Sequence, residues 1–69
     1  MSKESSAIGK AIRKYRQEKN MSQEALARAA YLSLPTVVKI ESGETPNPGI
    51  DTVKKIAAAL GISIDKLLE

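Results

Sequence analysis

Apolar positions recur along this chain at intervals of three and four residues, and polar or glycine stops interrupt them at short distances. Ile8, Ile12 and Tyr15 lie 4 and 3 residues apart, the spacing of one helix face, and Asn20 ends the run. Ser5 or Ser6 can cap this first helix, which is expected to reach about Lys19. Ser22 is a good N-cap for a second helix through Ala30, with Glu24 in its first turn complementing the dipole and Leu26, Ala27 and Ala30 facing inward. Ser33 caps a third helix that tolerates Pro35 in its first turn, where the missing N–H has no intrahelical partner anyway. Gly43 suits the left-handed residue that closes it. Two prolines and a glycine make Glu44–Gly49 a loop. Ile50, Val53, Ile56, Ala57 and Leu60 define a fourth helix that Gly61 terminates, and Ser63 caps a short fifth carrying Ile64, Leu67 and Leu68. No stretch alternates with the period of two that a half-buried strand requires. The expected fold is all-α: five helices in one compact domain over residues 1–69, with residues 1–5 as an N-terminal arm.

The third helix departs from a simple amphipathic pattern. Val37 and Ile40 supply a core-facing stripe, while Tyr31, Leu34, Pro35 and Val38 form a second apolar stripe on a different face. A helix apolar on two faces has two partners.

Charge adds a direction. The chain of 69 residues carries a net charge of +3. Residues 1–20 hold Lys3, Lys10, Arg13, Lys14, Arg16 and Lys19 against Glu4 and Glu18, whereas the remainder is slightly acidic. Positive potential at one end suits a polyanion, although a solvated helix face would look the same. Cysteine and histidine are both absent, which removes disulfides, thiol chemistry, the usual zinc sites and histidine acid–base catalysis. No glycine-rich phosphate loop or carboxylate pair in a foreseeable cleft suggests an enzyme, and no catalytic, metal, cofactor or small-molecule site is expected. No segment approaches the ~18 apolar residues of a membrane span, so the expectation is a cytoplasmic protein without membrane contact.

Only Tyr31, Leu32 and Ser33 separate the second and third helices, the short turn of a helix-turn-helix. The residues around it strengthen that reading. Met21-Ser22-Gln23-Glu24-Ala25-Leu26-Ala27, then Val37-Val38-Lys39-Ile40-Glu41-Ser42-Gly43, then Asn47-Pro48 with Ile56-Ala57-Ala58-Ala59-Leu60-Gly61 and Leu67-Leu68, resemble the phage repressor and Cro-type, lambda-repressor-like family. The likeness runs from about Ile8 to Leu68.

The resemblance implies double-stranded DNA as partner, with the second helix across the backbone and the third in the major groove. It places Gln23 at a phosphate, where helix N–H groups favour an anion, though a plain polar first-turn residue is the alternative. It pairs Arg16 with Glu41 as a buried, structural ion pair. It puts Ser33, Leu34, Pro35, Thr36, Val38 and Lys39 at or beside the base-reading positions, and Ser42 and Asn47 in the backbone-facing loop. Arg13 and Lys14 become candidate phosphate contacts. Two departures follow. Leu34, Pro35 and Val38 cannot make the paired hydrogen bonds that family members use on bases, and can only touch a thymine methyl. Lys39 remains as a reader of guanine or a phosphate contact. Tyr31 stands where the family has glycine; in a left-handed turn it costs roughly 1–2 kcal/mol.

The function expected is a transcriptional regulator, a repressor, acting as a homodimer on an inverted repeat, with Ile62, Ile64, Leu67 and Leu68 as the dimer surface, although much of that end must also close the domain's own core. The alternative is a protein-interaction module of antitoxin type that docks a partner on the apolar face of the third helix.

Overall fold

The computed structural model describes residues 7–68, and these form five α-helices: α1 Ala7–Glu18, α2 Gln23–Ala29, α3 Leu34–Ser42, α4 Ile50–Leu60 and α5 Ile64–Leu68. The cap expected at Ser5 or Ser6 and the expected N-terminal arm lie outside the described residues. The other caps act as their chemistry requires. Ser22 Oγ accepts from the Ala25 amide at 2.9 Å, Ser33 Oγ from the Thr36 amide at 3.4 Å, and Ser63 Oγ from the Lys66 amide at 3.2 Å. Each satisfies one of the amides that a helix start leaves without a partner.

Three helices end in the same way. At the end of α1, Asn20 turns left-handed (φ 56°), its amide reaches Gln17 and the Met21 amide reaches back to Arg16. At the end of α2, Tyr31 (φ 58°) and Leu32 repeat the pattern on Arg28 and Ala27. At the end of α4, Gly61 (φ 70°) and Ile62 repeat it on Ala58 and Ala57. Each is a Schellman closure, in which one left-handed residue lets two amides satisfy the last carbonyls. Gly43 closes α3 in the left-handed region at φ 90°.

Ile12, Leu26, Val37, Ile40, Ile56, Leu60 and Leu67 are almost wholly buried, drawing one core from all five helices. Burying a side chain of this size contributes about 1.5–3 kcal/mol. α3 packs against α1 and α2, while α4 and α5 close the core beside α1. The expected inner face of α2 holds in full, with Leu26, Ala27 and Ala30 all buried. One expectation needs revision. Ile50 belongs to the apolar stripe of α4 by spacing, yet it is exposed, standing at the edge of an open groove outside the buried cluster. Of the four C-terminal residues expected at a dimer surface, Leu67 lies in the domain's own core and Ile62 and Ile64 pack against it. Leu68 is left exposed. With Ile8, Pro46, Pro48 and Ile50 it lines an open groove of about 510 Å³. No helix among the described residues is long and apolar enough to cross a membrane.

Candidate nucleic-acid interface

The site is built around α3, whose two sides meet different surroundings. Inward, Val37, Ile40 and Glu41 are buried. Outward, Leu34 and Val38 keep 39% and 40% of their surface open, and Pro35 and Lys39 beside them are also exposed. The second apolar stripe read from the sequence is therefore real and uncovered within the domain. Tyr31, at its start, is 88% exposed. Its left-handed backbone is the strained geometry that a tyrosine tolerates poorly, and a ring so exposed has little packing to offset the strain.

What fixes α3 in place is polar. Glu41 is 4% exposed and accepts three hydrogen bonds. Arg16 Nε donates to its Oε2 at 2.6 Å, Arg16 Nη2 to its Oε1 at 3.1 Å, and Gln23 Nε2 to the same Oε1 at 3.1 Å. Arg16 also donates through Nη1 to the Met21 carbonyl at 2.7 Å. One guanidinium thus joins α1, the turn before α2 and the end of α3. The two-pronged geometry is the strong form of this pair. Among the described residues, no buried side-chain nitrogen or oxygen lacks a partner. Arg16 and Glu41, which the resemblance pairs, are thus bonded to each other across 25 residues of sequence.

The expected interface residues divide into those that converge and those held elsewhere. Arg13, Gln23, Val38 and Ser42 line one small notch, with Glu41 at its floor. This brings the basic helix α1, the start of α2 and the outer side of α3 to one surface. Lys39 lies one position along from Val38. Ser33 and Thr36 are occupied with each other, their hydroxyls 2.8 Å apart at the start of α3. Ser42 Oγ donates to the Lys39 carbonyl at 3.1 Å and accepts from the Glu44 amide at 3.2 Å, closing the end of the helix. Lys14 leans over the Tyr15 ring, its Nζ 5.4 Å from the centroid. Asn47 lines the apolar groove beside Pro46 and Ile50, a different depression from the notch.

Two features were not readable from the sequence. Gln23 is a second partner of Glu41, 18 residues away. Lys19 Nζ comes within 3.4 Å of where a Cβ on Gly61 would stand, beside the C-terminal end of α4. No group of three His, Cys, Asp or Glu side chains among the described residues could hold a metal ion.

Two helices joined by a four-residue turn, residues 30–33, the second presenting an open side, define a helix-turn-helix. A family model described as Helix-turn-helix matches residues 12–67, and the chain belongs to that family, in its Cro/C1 type. It is 36% identical over 58 residues to the HTH-type transcriptional regulator DdrOP3 of Deinococcus deserti, a stretch covering 84% of this chain and 44% of that protein. It is 36% identical over 62 residues to the HTH-type transcriptional regulator SinR of Bacillus subtilis, covering 90% of this chain and 56% of that one. The chain thus spans about half the length of these curated relatives. Its fold matches a crystal structure of SinR, the master regulator for biofilm formation, in complex with DNA. The TM-score is 0.87 at 35% identity, over 90% of this chain and 98% of the other.

Proposed function

We propose that this chain is the double-stranded-DNA-reading domain of a cytoplasmic transcriptional repressor, with α3 in the major groove. The observation that carries the reading is the convergence of Arg13, Gln23 and Val38 on one notch beside the open side of α3. A cation at the rim and a helix within reach of base edges are what a groove flanked by phosphates requires. The likeness to a relative solved with DNA supports it. Arg13 and Gln23 face the backbone, with Lys14 as an outer contact, while Asn47 goes with the apolar groove. Leu34, Pro35, Val38 and Lys39 enter the groove, flanked by Ser33, Thr36 and Ser42. Arg16 and Glu41 hold the helix without touching DNA.

One such helix covers a few base pairs, and a domain 32 Å in its longest dimension fits a single half-site. Recognition of an inverted repeat by two copies about 34 Å apart is the corresponding geometry. The apolar groove beside Leu68 and Ile50 is the surface we assign to the second copy. Selection from a random duplex library at two salt concentrations tests the whole reading. A palindromic product whose affinity falls steeply with salt supports it. Weak binding indifferent to sequence overturns it in favour of the second reading, a protein-docking module. That alternative is favoured by one observation, the uncovered Leu34 and Val38. Sedimentation that finds monomers both free and on the selected duplex removes the dimer.

A further inference from the structure

We propose that the outer side of α3 reads the C5-methyl groups of pyrimidines, so that thymine is selected over cytosine at the positions beneath it and 5-methylcytosine mimics thymine there. The inference rests on the DNA-reading function proposed for this surface and names the feature of the DNA that is read.

It follows from where the polar side chains of the interface are already bound. Adenine is recognised by a carboxamide offering a donor and an acceptor together. Among the described residues, Gln23 is the only carboxamide at the notch; it stands on α2 and not on α3, and one of its two amide hydrogens is held by Glu41 at 3.1 Å. The hydroxyls of Ser33 and Thr36 face each other at 2.8 Å, and Ser33 also caps the helix. The Ser42 hydroxyl donates to one backbone group and accepts from another. Arg16, the obvious fork for guanine, is engaged through all three nitrogens. On α3 this leaves the Lys39 ammonium and the apolar surface of Leu34, Pro35 and Val38, of which Leu34 and Val38 are 39% and 40% exposed.

Among base edges in the major groove, the thymine C5-methyl is the apolar group. Apolar side chains at the first, second and fifth positions of a helix form a strip one turn long, the length over which a helix meets neighbouring base pairs. Charge favours DNA over an apolar protein partner for this strip. Arg13 lines the notch with Val38, and Lys39 follows it, so cations border the strip where phosphates border a groove. Cytosine presents a hydrogen at the ring position where thymine presents its methyl. Methylating that carbon supplies the same apolar contact, and the interface then responds to cytosine methylation.

The test uses the full chain and the duplex obtained by selection. Each thymine of a half-site is replaced by deoxyuridine, which removes one methyl and leaves the pairing and hydrogen-bonding edges intact. Each substitution under α3 is expected to weaken binding roughly fourfold, the effect of exposing one methyl-sized group. Cytosine and 5-methylcytosine are then compared at the same position, and the methylated base is expected to bind more tightly by a similar factor. The double variant L34S/V38S, with its helicity verified by circular dichroism, is expected to bind thymine and deoxyuridine duplexes equally. That readout is a ratio, so a general loss of affinity does not obscure it. A selected duplex bound equally well with deoxyuridine overturns the inference and leaves DNA reading standing. So does a deoxyuridine penalty that persists undiminished in the variant. If selection yields no preferred duplex at either salt concentration, DNA reading fails and this inference fails with it.

Discussion

The two sides of α3 are almost equally apolar, and they do opposite things. Val37 and Ile40 face inward at 1% and 2% exposure, while Leu34 and Val38, on the same nine-residue helix, keep about two-fifths of their surface open. Residue type does not separate them: one side carries a valine and an isoleucine, the other a leucine and a valine. The difference lies in what the rest of the chain brings to each side, namely α1 and α2 on one and solvent on the other. Apolar character thus sets the size of a possible gain, and packing decides whether folding or a partner receives it.

Substitutions along α3 test this contrast directly. Ile40→Ala is expected to lower unfolding free energy by about 4 kcal/mol, through lost burial and the cavity left behind, as read by urea denaturation. If Val38→Ala costs as much, the outer side is not a surface independent of the core. Glu41→Ala is expected to cost about 3 kcal/mol, because it leaves the Arg16 guanidinium, 11% exposed, without its carboxylate. A smaller loss would mean that water replaces Glu41 readily and that the pair positions α3 without anchoring it. Tyr31→Gly is expected to stabilise by about 0.5–1 kcal/mol, because left-handed strain is relieved while the unfolded chain gains freedom. A loss there would show that the exposed ring makes a contact that the backbone geometry does not suggest. The smallest stability effect is expected of Leu34→Ser, within about 0.5 kcal/mol. Its consequence should appear only in duplex binding, by fluorescence anisotropy.

The helices were legible because their signals are local. Ser22, Ser33 and Ser63 cap their own helices, Gly43 and Gly61 close theirs, and α4 runs from Ile50 to Leu60 as its periodicity indicates. The second apolar side of α3 was also legible, since spacing alone separates Leu34 and Val38 from Val37 and Ile40. The pair between Arg16 and Glu41 came from family resemblance, because no pattern within one helix points 25 residues away. Polar partners were the least legible part. Nothing around Gln23 indicates that its amide will turn to Glu41, and nothing around Lys19 indicates that it will reach Gly61. Such partners depend on how whole helices approach one another. The periodicity of Ile50 misleads for the same reason, since spacing records which face a residue is on and not whether the core extends that far.

Arg16 has one further consequence, for the thermodynamics of binding. Its bonds to Glu41 and Met21 fix α3 to the body of the domain before any partner arrives. Association then proceeds between a preformed surface and its target, with little loss of backbone freedom to offset the favourable interactions across the interface. In calorimetry this should appear as a heat-capacity change proportional to the interface area alone, without the larger component that accompanies folding on binding.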